Sequence, residues 1–432
     1  MSLATDVWSP LDYVEALHGH IAHRFARVEP RERALVYLRG ILDPVGRRNG
    51  WQLAAQGGEK YPDGMQRLLS SARWSAGGVR DDIRDFVLGY AGDRNATLVV
   101  DEWRFPKKGR RSVGVHRAAS SKGRRAENVQ TGLFCTYVSQ RGSFLVDREL
   151  FLPNWWVADP GLRGTARIPD GLPYRTVAEL AGAMVARALA AQVPARWVAA
   201  DTAVVDQGLR RFLENSRMWF VIGIAVSERL PMVLGDHRGR LSAQTVATRL
   251  GADAWTAARA YLWTRVRLPG RPGSPVRWLL LRRDPNTGSL RAYLCQAGPA
   301  TSLPELVDVA LLLERNRYVL SAACTGAGLD EYEVRHWTGW YRYTTLALAA
   351  HNCLELAGHR PDPADPVPIP AARRTTTEEE PCQNQDRPNT PQGRCATRFA
   401  ATSSFATNTA PPKRGRSPWS AFPSGRQPGW AR

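Results

Sequence analysis

Asp101 and Asp201 are the residues of this chain whose type and setting point most directly to chemistry. Each follows a short apolar run, Leu98-Val99-Val100 in one case and Trp197-Val198-Ala199-Ala200 in the other, so each is expected at the end of a buried strand. Carboxylates on neighbouring strands can converge on a divalent cation, and hard oxygen ligands suit Mg²⁺ or Mn²⁺. A pair of such ions can activate a water and stabilise the oxygen that leaves phosphorus. Spacing alone also allows a purely structural role, because Asp commonly sits where a strand gives way to a turn.

The residues after Asp101 add a second signal. From Arg104 to Arg125 there are nine Lys or Arg and no acid. Lys107, Lys108, Arg110, Arg111, Lys122, Arg124 and Arg125 are therefore the candidates for phosphate contact. The same block can equally be a solvated basic loop. Across 432 residues the formal charge is +19, which favours a polyanionic partner, either nucleic acid or an anionic membrane surface. No apolar run reaches spanning length and no basic amphipathic helix stands out, so the membrane is the weaker reading.

Six cysteines, Cys135, Cys295, Cys324, Cys353, Cys382 and Cys395, lack a CxxC or Cys/His spacing suited to zinc and fit a reducing compartment. The first ten residues do not read as a signal peptide, and the protein is expected to be cytoplasmic.

The elements that must position these side chains can be outlined from periodicity. Residues 1–92 read as helical, with apolar positions three and four apart in Ala34-Leu35-Leu38-Ile41-Leu42 and Met65-Leu68-Leu69; such short helices can form an N-terminal DNA-binding region or plain helical packing, the commoner case. Residues 93–227 read as an α/β core. Its strands are expected at Thr97–Val100, Ser112–Val115, Gly132–Val138 and Ser143–Leu152, followed by a helix at Val177–Ala190, a strand ending at Asp201, a helix at Gln207–Asn215 and a strand at Trp219–Ala225. That order of meander, helix, strand, helix, strand is the order of an RNase H-like fold. Residues 228–300 read as a β-rich insertion, and 301–358 as a helical C-terminal part of the core. After Ile369 there is no Leu, Ile, Val or Met, so 359–432 are expected to form a disordered tail.

Several blocks resemble, in order, one group of bacterial insertion-sequence transposases, the DDE superfamily endonucleases. They include Phe25-Ala26-Arg27-Val28-Glu29-Pro30-Arg31, Asp63-Gly64-Met65-Gln66-Arg67-Leu68-Leu69, Val99-Val100-Asp101-Glu102, Phe105-Pro106-Lys107-Lys108-Gly109 and Asp147-Arg148-Glu149-Leu150. Gly328-Leu329-Asp330-Glu331-Tyr332-Glu333-Val334-Arg335 and Trp337-Thr338-Gly339-Trp340-Tyr341-Arg342 extend the similarity toward the C-terminus. The resemblance implies an RNase H-like fold whose triad of two Asp and one Glu binds Mg²⁺ (or Mn²⁺), cuts DNA at transposon ends and transfers the strand to target DNA. It also implies a homodimer in a synaptic complex with that DNA. Asp101 and Asp201 would be the first two metal ligands.

The third acid departs from the family pattern. Counting back from Gly328, the Arg-x3-Glu-x6-Lys helix of the family puts its Arg at Leu313, its catalytic Glu at Arg317 and its Lys at Cys324. The nearest acid is Glu314, one helical turn earlier, which is the candidate replacement catalytic residue. With matching blocks on both sides, the mismatch from Glu314 to Thr325 is what a local change of reading frame would leave. A relative that keeps the fold and binds DNA without cutting is therefore the alternative to an active transposase. His116, His336 and His351 are not required by two-metal cleavage and read as helix or surface residues. Trp337, Trp340, Tyr341 and Arg342 can stack on exposed bases or form core.

Overall fold

The structure, a computed structural model, describes residues 8–43, 48–119, 126–216, 218–270, 273 and 275–358. Five helices come first: α1 (Pro10–Ile21), α2 (Val28–Leu42), α3 (Gly50–Gln56), α4 (Asp63–Ser70) and α5 (Ala76–Ala91). Their starts are set locally, since Ser9 and Asp12 form a capping box and Asn49 accepts the amides of Trp51 and Gln52. Their inner faces, among them Leu17, Leu38, Leu68 and Phe86, are buried in one continuous core with the sheet that follows.

That sheet begins with β1 (Ala96–Pro106), β2 (His116–Ala119), β3 (Ala126–Ser139) and β4 (Gly142–Leu150). Then come α6 (Asn154–Ala158), α7 (Pro160–Ala166), α8 (Val177–Ala190), β5 (Ala195–Ala200), α9 (Gln207–Asn215) and β6 (Trp219–Ile224). Strands β4, β3 and β1 pair antiparallel in that order, and β1, β5 and β6 are parallel neighbours. Three antiparallel strands followed by two parallel ones, reached through helical crossovers, is the expected RNase H-like arrangement.

The segment after β6 holds β7 (Arg229–Leu234), β8 (His237–Ser242), α10 (Ala243–Arg249), β9 (Thr256–Ala258), β10 (Tyr261–Arg267), β11 (Val276–Arg283) and β12 (Leu290–Ala297). It is β-rich, as its pattern predicts. Only β7 and β8 form a sheet of their own; β12 pairs with β6, and β11, β10 and β9 continue outward from it into a ten-stranded sheet.

Two long helices close the described chain, α11 (Leu303–Ala327) and α12 (Trp337–Gly358). Ser302 caps the first, and Gly328 ends it in the left-handed region at φ 59°. The 314–325 stretch is an unbroken part of α11, and its inner face continues through Leu313, Asn316, Leu320 and Ala323.

Two strand expectations need correction. β1 does not stop at Val100 but runs to Pro106, because β3 stays paired with it over that length; only its pairing with β5 ends at Val100. Ser112–Val115 is a turn, with Gly114 at φ 74°; the Val113 amide donates to the Arg335 carbonyl and the Val113 carbonyl accepts from the Gln130 side chain, so no backbone ladder forms there among the described residues. The tail expectation, 359–432, lies outside the described residues, as do Lys122, Arg124 and Arg125.

Candidate acidic site and its arginines

The parallel register Val99↔Ala199 and Val100↔Ala200 brings Asp101 and Asp201 to adjacent positions at the point where β1 and β5 part. Neighbouring strands lie about 4.8 Å apart, so two residues 100 positions apart in sequence become neighbours through this pairing alone. Asp101 is 1% exposed, and its Oδ1 accepts the Glu102 amide at 2.8 Å. Burial pushes its carboxyl up to about 6, the Arg317 guanidinium pulls it down, and Asp201 adds to the rise. Asp201 begins a 3₁₀ turn, Thr202–Val204, and its Oδ1 accepts the Thr202 amide at 2.7 Å. Gly223 on β6 leaves room for that turn: a Cβ there would lie 2.8 Å from both Asp201 Oδ1 and the Thr202 nitrogen.

Arg317 arrives from α11, which is tied to the sheet on both sides of it. Thr136 on β3, the cross-strand partner of Val99, donates to Asn316 Oδ1 at 2.6 Å. Two turns further on, the buried Cys324 thiol lies near enough to Trp103 of β1 to be influenced by it. The helix thus runs along β1 past Asp101, and the position where the resemblance puts the third acid carries an exposed cation, Arg317, whose charge reaches that carboxylate.

The other acids are also met by arginines. Arg291 on β12 lies 3.7 Å from Asp201 Oδ2. Arg282 on β11 donates to Glu314 at 2.7 Å, with its guanidinium 4.0 Å from the centre of the Tyr261 ring. The buried Tyr293 hydroxyl, held up mainly by burial, feels Arg282, Arg291, Asp201 and Glu314 together, so these four charges form one cluster. Sequence reasoning found Arg317 by counting and missed Arg282 and Arg291. Their signal is weak: arginines at the turn-proximal ends of two largely apolar strands, of which β11 alone carries three, Arg277, Arg282 and Arg283.

These residues do not fit a two-ion site. Among the described residues no group of three or more His, Cys, Asp and Glu side chains is arranged to hold a metal. Two carboxylates stand side by side, but the third position carries positive charge and Glu314 is engaged elsewhere. A divalent ion between Asp101 and Arg317 would meet like charge where the triad needs a carboxylate.

The basic block divides. Lys107 turns inward, against the expectation that it faces phosphate, because its ammonium packs 3.5 Å from the centre of the Tyr332 ring. Burial pushes it down to about 8, with Asp330 opposing. Arg104 pairs with Glu102 at 2.6 Å. Lys108, Arg110 and Arg111 are exposed on the loop after β1. His116 contacts the Gly114 carbonyl, His336 the Thr165 carbonyl, and His351 is buried in α12. Cys135, Cys295, Cys324 and Cys353 are free and buried. No helix among the described residues is long and apolar enough to cross a membrane.

A five-strand arrangement of this order, with paired aspartates where its first and fourth strands separate, is the RNase H-like class of fold. Residues 19–233 match the family described as DDE superfamily endonuclease, and over this span the chain belongs to that family. No curated protein matches the chain.

Proposed function

We propose that this protein is a DNA-binding member of the insertion-sequence transposase line that no longer cuts DNA. The observation that carries this is Arg317, an exposed cation on α11 at the position where the resemblance puts the third acid, near enough to Asp101 to pull its carboxyl down. The +19 charge and the exposed Lys108, Arg110 and Arg111 support retained binding to the DNA backbone. Mg²⁺-dependent cleavage and strand transfer at transposon ends is the second reading. It is favoured by the adjacency of Asp101 and Asp201, but needs Glu314 to leave Arg282 and move one helical turn.

The test uses full-length protein, supercoiled DNA carrying the inverted repeats that flank the gene, and Mg²⁺ or Mn²⁺. The proposal expects salt-sensitive binding and no nicking. Nicking that disappears in Asp101→Asn would establish the second reading instead.

A further inference from the structure

The edge strand β4 carries a second set of charged residues that the acidic site does not use. Asp147, Arg148 and Glu149 lie there in succession. Asp147 accepts from Arg80 of α5 at 2.8 Å and from Arg187 of α8 at 2.9 Å; Glu149 accepts from Arg187 and from the Tyr341 hydroxyl, both at 2.6 Å. Arg148 lies between them, 2% exposed. It donates to the Ala76 carbonyl and to Thr345, yet its Nε, wholly buried, has no partner. Its charge is met by Asp147 at 3.8 Å and by the Tyr341 ring at 5.2 Å, which leaves the buried Nε as the unmet donor.

What lies next to Arg148 is a cavity of about 440 Å³, the size of a small-ligand pocket. Its walls are largely aromatic and apolar: Trp74 on one side, Trp337 and Tyr341 on another, the last two with ring centres 4.6 Å apart. Arg80, Arg148, Arg175 and Arg342 line it with one acid, Glu149, which is already occupied by Tyr341 and Arg187. Trp337 and Thr338, also in the lining, are the first residues of the 22-residue helix α12. The opening amides of a helix lack intrahelical acceptors and carry partial positive charge, which favours an anion. Flat aromatic walls beside several cations suit a ligand that is planar at one end and anionic at the other.

We infer that this cavity receives a single unstacked nucleotide of bound DNA, its base against Trp337 and its phosphate near Arg148, Arg175 and the start of α12. The inference rests on the DNA-binding reading above. In the sheet, Arg148 pairs with Phe134 and Phe134 with Asp101, so the cavity is two strands, about 10 Å, from the acidic site. Phe134 between them is wholly buried, so the cavity takes its nucleotide independently of any strand at Asp101. This recognition needs neither a metal nor an intact triad, so it survives the loss of cleavage.

The test compares a DNA duplex of arbitrary sequence with the same duplex carrying one unpaired 2-aminopurine nucleotide, each titrated with the full chain. Tighter binding of the unpaired form by about tenfold or more is expected, with quenching of the 2-aminopurine fluorescence, since one base stacked on an aromatic side chain contributes on that scale. Trp337→Ala should bring the two affinities together and remove the quenching while paired-duplex binding stays within about twofold. Arg175→Ala, at an exposed rim position, gives a second variant that does not disturb the interior; it should weaken binding of the unpaired form selectively. Equal affinity of the wild type for both duplexes overturns the cavity assignment and leaves the DNA-binding reading standing. Binding to neither overturns both. Competition by free dAMP as effective as that by the unpaired duplex reassigns the cavity to a mononucleotide and overturns the DNA-borne ligand.

Discussion

Asp101→Asn should make this protein more stable, and only above a definable pH. The Asp101 carboxyl has a value near 6 in the folded protein against 3.8 for an ordinary Asp side chain, and it is 1% exposed, so solvent screening does not dilute the effect. Below about pH 4 both folded and unfolded chains hold the proton and the group contributes nothing. Between about 4 and 6 the unfolded chain ionises first, so stability falls by about 1.4 kcal/mol per pH unit. Above 6 the deficit is constant at about 3 kcal/mol. Asn keeps an oxygen to accept the Glu102 amide and carries no charge. For a folded body of roughly 340 residues, about 3 kcal/mol corresponds to a midpoint shift of about 4 °C. Thermal or urea unfolding of both proteins in EDTA should therefore coincide near pH 4 and separate by this amount at pH 8. A variant equal to or weaker than wild type at pH 8 would refute the account of Asp101 as an incompletely compensated buried charge. Repeating the pH 8 measurement with Mn²⁺ should move neither protein. A Mn²⁺-dependent gain in the wild type that the variant lacks would show a working metal site and refute the role given to Arg317.

Arg317→Glu should reverse the metal response: without a cation it is less stable than wild type, and Mn²⁺ at about 100 times its dissociation constant should restore about 2.7 kcal/mol, readable by thermal shift. His351, buried and held down to about 4 by desolvation, contributes stability that is complete above pH 6.5 and is lost as pH falls toward 4. His351→Gln should remove about 3 kcal/mol of acid sensitivity, visible in wild-type minus variant unfolding curves, and its slope is opposite in sign to that of Asp101. Gly223→Ala should destabilise by about 1–3 kcal/mol, because its methyl group would displace the Asp201 turn; urea unfolding checks it.

Much of the core was legible because local signals and long-range structure agree there. The helices at Val177–Ala190 and Gln207–Asn215 have the bounds read from periodicity, and both begin at side-chain caps, Thr176 with Glu179 and Asp206 at the Leu209 amide. The pairing of Asp101 with Asp201 could be anticipated only from strand order, since nothing in either segment names its neighbour. The arginines on β11 and β12 were invisible for the same reason: that β12 joins β6 is a property of distant pairing, and apolar runs such as Trp278–Leu281 read the same in a separate sheet as in a shared one. Lys107 was misread because cation–π packing on Tyr332 involves residues more than 200 positions apart. The 314–325 stretch lacks the expected acid yet keeps a helical inner face, so an altered motif did not bring a broken element with it.

The continuation of the sheet from β6 into β12 also decides where its free edge lies. In a five-strand core β6 would be an edge, with the apolar run Phe220-Val221-Ile222-Gly223-Ile224 offering unpaired backbone to other molecules, which is how aggregation by edge-to-edge pairing starts. Here the free edge is moved four strands outward to β9, which is three residues long. The segment after β6 therefore covers an apolar strand edge as well as presenting Arg282 and Arg291.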